Sequence, residues 1–526
     1  MSLKAILVLC IIQSSMHYTD AARILGIFPI PSISHQVVFR ALTLELAKRG
    51  HEMVVITPNP ALPKDRPPDN ITEIDSGHAY QVMAKLLQEG VGQKTLKRGV
   101  VLDVDAILSE EATRGVLSLV SHQFDLPEVK ALINDKTQKF DLLFVEAMGN
   151  YHLIMSHFFK APVILFSSFF GCAEHFEMMG GLAWHPIYYP NFYRSKFRDL
   201  TFWEHIAGIY LEWRIYWMVQ RNEAIENELL RERFGEGTPL VQEMKSNVQM
   251  LFLNSHPVFG NNRPVPPSVI HLGALHLQPV KQLPKDLKAY LDGSKRGVIY
   301  VSFGTNVRTN NMDVDLINSL LDAFEVLPYD ILWKCDGDNL QKVPKNLKIQ
   351  KWFPQRDLLM HPKIKLFLMQ GGLQSTDEAI DAGVPIVGVP MLGDQWYNVN
   401  KCVELGIAEQ LDALTMTAKD IVDAATKVIG NNSYRENMKH LRDILSDQPQ
   451  TPLERAVWWT EHVLRHRGGR HLRAPAANVS WPKYFMLDVA VVLLFATVGL
   501  LLLLYIMFRI IFMFLKFSLR IKAKQN

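Results

Sequence analysis

The sequence predicts two Rossmann-like α/β domains followed by a C-terminal transmembrane helix, and three observations carry that expectation. Residues 366–389 read as strand, glycine turn, helix and strand. Leu366–Met369 is an apolar run, Gly371 and Gly372 make the turn, Leu373 to Ala382 has helical spacing that ends at Gly383, and Pro385–Val389 stops at Pro390. Residues 23–57 show the same order without a G-x-G-x-x-G fingerprint, so no dinucleotide is expected there. Val489–Phe508 carries no charge over twenty residues, enough to cross the hydrocarbon core of a bilayer as a helix.

A chain of 526 residues is too long for one domain. Met1–Ala21 has a small positive region at Lys4, an apolar core at Ala5–Ile12 and a cleavage pattern at Thr19-Asp20-Ala21, which reads as a signal peptide. Arg23–Ile30 is the first strand, Pro31–Ser34 a tight loop, Gln36–Arg49 a helix stopped by Gly50, and Met53–Thr57 the second strand. Phe140–Glu146, Ala161–Ser167 and Val248–Asn254 supply further strands. Prolines 257, 264, 266, 267, 279 and 284 interrupt regular structure and mark the domain junction. Gly297–Phe303 opens the second domain, and Ile331–Cys335 is its next strand. Met416–Ile429, Ser433–Ser446 and Pro452–His466 read as helices. The expected organisation is a first domain over 22–256, a linker over 257–284, a second domain over 285–450, a helix and juxtamembrane segment over 451–483, the membrane span at 489–508 and a basic tail at 509–526.

Composition excludes several classes. Net charge is only +3 from 56 basic and 53 acidic side chains, so there is no nucleic-acid footprint. The four cysteines, at 10, 172, 335 and 402, share no metal-ligand spacing, and no metal is expected. There is no G-x-S-x-G elbow and no H-E-x-x-H pair, which removes the common hydrolase and zinc protease patterns.

The remaining polar residues and the Gly371-Gly372 turn suggest either a phosphate site or a packing turn with nothing bound. A helix that starts at Leu373 leaves the amides of Leu373 to Ser375 free for an anion. Asp394, Gln395 and Asn398 follow a strand end, where open α/β sheets place ligand contacts. His35 sits where the first strand hands over to its helix, as a helix cap or as a functional base. Glu146 ends a strand, facing either solvent or a partner. Between Phe169 and Trp217 the chain holds Trp184, Tyr188, Tyr189, Phe192, Tyr193, Phe202, Trp203, Trp213 and Trp217. Core packing, an aromatic-lined pocket and contact with a membrane surface all remain open for these rings.

The stretch F-L-M-Q-G-G-L-Q-S-T-D-E-A-I-D-A-G-V-P, continued by G-D-Q-W-Y-N, resembles the signature of the membrane-bound UDP-glycosyltransferases. K-W-F-P-Q-R-D-L-L-x-H-P at residues 351–362 and S-F-G-T at 302–305 extend the likeness, which runs from about residue 22 to the tail. The resemblance implies a GT-B architecture, in which the two domains face each other across a cleft. It implies that His35 is the catalytic base and Glu146 its orienting carboxylate, at a position where relatives usually carry aspartate. Ser302, Thr305, Gly372, Gln374 and Ser375 should face the diphosphate, Trp352 should stack on uracil, Gln355 should bond the base edge and Glu378 the ribose. Asp394 and Gln395 should hold the sugar. The UDP-sugar is then a co-substrate, and no cofactor or metal is required.

Two departures bear on rate. Gln370 stands where most relatives have histidine, and Lys334 where most have arginine. Glutamine donates a hydrogen bond but carries no charge, so stabilisation of the leaving diphosphate should weaken. Ala408 replaces a usual glycine and suggests a changed turn or closer packing. The expected function is transfer of a hexose, with inversion, to a hydroxyl of a small lipophilic alcohol or phenol. G-D-Q after Pro390 looks arthropod-like and favours glucose over glucuronate. The alternative is a weakly active or non-catalytic lumenal binding partner of a catalytic relative. Arg509, Lys516, Arg520, Lys522 and Lys524 after the span argue for a lumenal body and cytosolic tail. Lys522 and Lys524 resemble a K-x-K-x-x retrieval signal read by coat proteins, which points to the endoplasmic reticulum. Asn70, Asn431 and Asn478 are candidate glycosylation sites. Partners expected are the bilayer and, in a homo- or hetero-oligomer, other copies or relatives.

Overall fold

A computed structural model describes residues 21–63, 68–88, 96–98, 100–181, 185–307, 309–337, 340 and 342–525, with the side chains of 481, 522, 524 and 525 excepted. Almost all of the signal segment, Trp184 and the side chains of Lys522 and Lys524 therefore lie outside the described residues.

Fifteen strands are described: β1 (Arg23–Ile27), β2 (Glu52–Thr57), β3 (Ile71–Asp75), β4 (Leu96–Lys97), β5 (Val101–Leu102), β6 (Leu142–Glu146), β7 (Val163–Ser167), β8 (Val248–Leu253), β9 (Val269–His271), β10 (Val298–Ser302), β11 (Asp330–Lys334), β12 (Leu347–Gln350), β13 (Ile364–Met369), β14 (Ile386–Gly388) and β15 (Ala408–Gln410). They form a seven-stranded sheet in the order β3-β2-β1-β6-β7-β8-β9, a six-stranded sheet in the order β12-β11-β10-β13-β14-β15, and a small antiparallel ribbon, β4-β5. Every pairing in the two large sheets is parallel. Parallel strands covered on both faces read as unbroken apolar runs, and LLFVE, VILFS, VQMLFL and VIYVS are buried along their whole length.

The strand order reverses between β1 and β6 in the first sheet and between β10 and β13 in the second. In open α/β sheets that reversal leaves a crevice beyond the carboxyl ends of the two strands, and ligands bind there. His35 follows β1 and Glu146 ends β6. Ser302 ends β10, and Gln370 follows β13 directly. The predicted site residues thus fall at both crevices. β9 belongs to the first sheet although it lies within the proline-rich stretch 257–284. Ala408 is a buried strand residue of β15, and the nearby turn is made by Gly406 at φ +67°.

One helix was less evident in the sequence. Phe202–Phe234 is continuous over 33 residues, opened by a capping box in which Thr201 and Glu204 satisfy each other's backbone amides. Pro452–Arg465 has the same box at Thr451 and Glu454. It returns to the first domain, where Ala456, Val457 and Val463 share a core with Val38, Phe39 and Leu42 of the helix Ile33–Lys48. The final helix, Leu487–Gln525, has 39 residues. Within Leu487–Ile521 its most apolar 18-residue window has a mean hydropathy of 2.9 and is not buried, so the helix is long and apolar enough to cross a membrane.

Candidate active site

Between the two crevices lies a cavity of about 590 Å³, lined from the first domain by His35, Met148, Ser168 and Phe192 and from the second by most of the predicted site residues. Those are Ser302, Thr305, Lys334, Trp352, Gln355, Gln370, Gly372, Gln374, Ser375, Glu378, Asp394 and Gln395. Its size is that of ordinary small-molecule sites.

His35 lies in the first turn of Ile33–Lys48, a helix whose Ser32 side chain caps none of its amides. Its Nδ1 is 2.7 Å from Glu146 Oε1. Glu146 Oε2 accepts the amide of Ile30 at 3.1 Å, so both carboxylate oxygens are committed. The Glu146 side chain is fully buried, while His35 keeps some exposure toward the cavity. With Nδ1 tied to the carboxylate, Nε2 is the nitrogen left to take a proton.

Opposite them, Gly371 at φ +89° turns the chain from β13 into the helix Leu373–Ala382. A side chain at residue 371 would drive a Cβ to 2.3 Å from Val399 Cγ2, so only glycine fits. Gly372 caps the helix without a side-chain bond, and the first turn holds no acid. The amides of an uncapped helix start are an anion site.

Trp352 is 59% exposed at the cavity edge, and Lys334 Nζ lies 5.0 Å from its ring centroid. The same Nζ donates to Gly304 O at 2.6 Å, and burial lowers the Lys334 pKa. Gln370 is buried, its Oε1 has no partner, and its Nε2 sits where a Cβ on Gly304 would come within 2.2 Å. Gly304 is therefore required, at φ +77°, for Gln370 to pack against the loop after β10. Burial raises the Glu378 carboxyl, and burial likewise raises Asp394, which the Asn398 hydrogen bond and the field of His35 oppose.

Three glutamines of the site also bond to protein groups. Gln355 was expected on the edge of the base, yet three of its four hydrogen-bonding positions serve protein groups: Oε1 accepts from Tyr300 Oη at 3.1 Å, and Nε2 donates to Ser375 Oγ at 2.9 Å and Glu378 Oε2 at 2.7 Å. It braces Ser375 and Glu378. Gln374 Nε2 donates across the cleft to Ser168 O at 2.9 Å, and its own carbonyl faces His276 Nε2 at 3.1 Å, so it ties the domains together. Gln395 Oε1 accepts from Met391 and Leu392 amides at 2.9 and 2.8 Å, which leaves only its N–H groups for a sugar. Asn306 adds a second cross-cleft bond, to Ser32 Oγ at 3.3 Å. Sequence reasoning missed Asn306, Tyr300 and Ser168, whose roles depend on contacts between distant segments.

Of the three sequons, Asn431 and Asn478 are exposed, whereas the Asn70 amide donates to the carbonyls of Ala47 and His51. A glycan on Asn70 would have to displace both bonds. Cys172, Cys335 and Cys402 are free thiols.

Comparison with known proteins agrees with this geometry. The family described as UDP-glucoronosyl and UDP-glucosyl transferase matches residues 25–525. The ecdysteroid UDP-glucosyltransferase of Spodoptera littoralis nuclear polyhedrosis virus is 42% identical over 89% of this chain and 93% of its own length. UDP-glucosyltransferase 2 of Dactylopius coccus is 31% identical, covering 93% of each chain. Among solved structures, the glycosyltransferase VinC in complex with DTDP superposes with a TM-score of 0.54 at 16% identity, over 85% of this chain and all of that one, a likeness of fold. Two facing parallel sheets with a lined cleft are thus a GT-B arrangement, and the chain belongs to the UDP-glycosyltransferase family.

Proposed function

We propose that this UDP-glycosyltransferase moves glucose from UDP-glucose to a hydroxyl of a small lipophilic alcohol or phenol, with inversion at the anomeric carbon. The observation that carries the reading is the His35–Glu146 pair facing an uncapped helix start across one cavity. His35 Nε2 takes the acceptor proton as the oxygen attacks the anomeric carbon. The new C–O bond forms as the bond to the β-phosphate oxygen breaks, and UDP leaves toward the amides after Gly372 and the side chains of Thr305 and Ser375. A single displacement from the face opposite UDP inverts the configuration. Asp394 and the free N–H groups of Gln395 hold the sugar hydroxyls.

Glucose rather than glucuronate as donor is supported by the names of the relatives. The ecdysteroid named for the viral relatives is one candidate acceptor, and conjugation of hormones, pigments or foreign compounds is the expected role. The apolar C-terminal helix and the basic residues Arg509, Lys516 and Arg520 support a single-pass protein of the endoplasmic reticulum with a lumenal body.

Microsomes carrying the chain, given labelled UDP-glucose or UDP-glucuronate with a panel of phenols and sterols, test the reading. Glucoside formation is expected. UDP binding with no product from any donor would replace it with a non-catalytic binding partner, for which the uncharged Gln370 is the supporting feature.

A further inference from the structure

A second chamber, of about 220 Å³, opens off the cleft inside the first domain. Ile107, Met148, Phe192 and Tyr193 wall both spaces, so the two communicate through shared side chains. His35 lines the cleft but not the chamber. Asn150, His152 and Glu226 line the chamber but not the cleft. Val116, Leu117 and Val120 give the chamber an apolar wall, and Thr113, Glu146, Glu174, Asn222 and Glu223 add further polar groups around it.

The polar group is unusual for a hydrocarbon pocket. Asn150, His152 and Glu226 are each at least nine-tenths buried, and each keeps one side-chain atom without a partner: Asn150 Oδ1, His152 Nε2 and Glu226 Oε2. Buried polar atoms are normally paired, and an orphan costs the fold its lost hydration. The Asn150 and Glu226 side chains are close enough to interact, and a ligand oxygen beside them and His152 would complete all three groups. Glu226 is fixed, since its Oε1 accepts the amide of Asn150 at 2.9 Å. Burial pushes its carboxyl up to about 7, so near neutrality it both donates and accepts. Among the described residues the cation acting on it is Lys245, which is paired with Glu223.

We infer that Asn150, His152 and Glu226 form a specificity site that hydrogen-bonds an oxygen function on the acceptor, at the end remote from the hydroxyl that reacts at His35. The acceptor class is then a lipophile oxygenated at both ends rather than a simple phenol. A site built to bond a hydroxyl discriminates strongly against the analogue that lacks it, because its own polar atoms stay unpaired. The inference rests on the transferase reading, because it takes the oxygen at His35 as the one that reacts.

The test uses the full chain in nanodiscs with estra-1,3,5(10)-triene-3,17β-diol and its 17-deoxy counterpart, which share one phenol and differ at the far ring. Product linkage is checked at the phenol. The diol should show a kcat/KM at least about tenfold higher, mostly through KM. Asn150→Ala and Glu226→Leu should each shrink that preference to under about threefold by lowering the value for the diol alone, whereas Glu226→Gln, which still donates and accepts, should retain most of it. Equal kcat/KM for the two steroids, or a preference that survives both truncations, overturns the assignment. Should Glu226→Leu fail to fold, Asn150→Ala decides. Binding of each steroid to the UDP-loaded chain, followed by tryptophan fluorescence, separates the two readings. Tighter diol binding without product supports the chamber and removes catalysis, and product without preference does the reverse.

Discussion

Glu146 meets His35 at 2.7 Å with one oxygen and the Ile30 amide with the other, so a buried carboxylate sets both the tautomer of the imidazole and the path of the loop that carries it. The extra methylene relative to aspartate has not broken the contact. His35→Ala should lower kcat by about 10²–10⁴-fold, the usual worth of a general base. Glu146→Gln keeps a hydrogen bond but can present the wrong tautomer, and should lower kcat with little change in KM. Turnover of His35→Ala at the parent rate, measured with any accepted phenol, would remove the base assignment.

Gln370 separates activity from stability. Its Oε1 is a buried orphan, so Gln370→Leu removes an unsatisfied acceptor and should leave the melting temperature equal or higher. With the diphosphate at the proposed site, the same change removes a donor beside it and should lower kcat by about tenfold or more. A parallel fall in both quantities would mean that the amide serves only packing.

Trp352 is largely exposed, so its loss should hardly touch the fold. If it stacks on a base, Trp352→Ala should weaken UDP binding by about 1–3 kcal/mol, the range measured for base–aromatic stacking. Calorimetry with UDP alone reads this, and unchanged affinity would place the base elsewhere.

Glu226 makes stability depend on pH. Its carboxyl is raised by burial from an ordinary 4.5 to about 7, so between those values the folded chain binds a proton that the unfolded chain has released. Its contribution is complete below about 4.5 and is lost as pH rises through about 7, a change on the order of 3 kcal/mol. Glu226→Gln should flatten that decline, so its melting temperature should gain on the parent as pH rises from about 5 to about 7.

The helix Phe202–Phe234 exposes Phe202, Trp203, Ile206, Tyr210, Trp213 and Trp217 along its first half. Such a face fits the membrane interface. A chain ending before Leu487 should still co-sediment with phospholipid vesicles, and Trp203→Glu with Trp217→Glu should release it.

Both parallel sheets were readable because β6, β7, β8, β10 and β13 are mostly apolar runs, interrupted inside only by Gln249 and Lys365, and Gly371-Gly372 announced the turn between β13 and its helix. The long aromatic helix was not readable as one. Its large rings lie outside the core while Glu212, Glu223 and Glu226 are buried, so apolar spacing does not mark its inner face. The glutamines show the other limit. Residue type told that Gln355, Gln374 and Gln395 belong near the cleft, but only their partners show that much of their bonding capacity braces protein rather than ligand. The reversal of strand order that brings residues 35 and 146 together is likewise a property of topology, invisible in either segment alone.

The packing of Pro452–Arg465 against Ile33–Lys48 ties the earliest helix of the described chain to one of its last. On a ribosome the amino-terminal half must therefore wait, with the outer side of its first helix unshielded, until more than four hundred further residues have been made. A chain stopped short of Pro452 would keep every residue that touches the acceptor proton and still present a greasy scar, making it a client for chaperones rather than a half-enzyme.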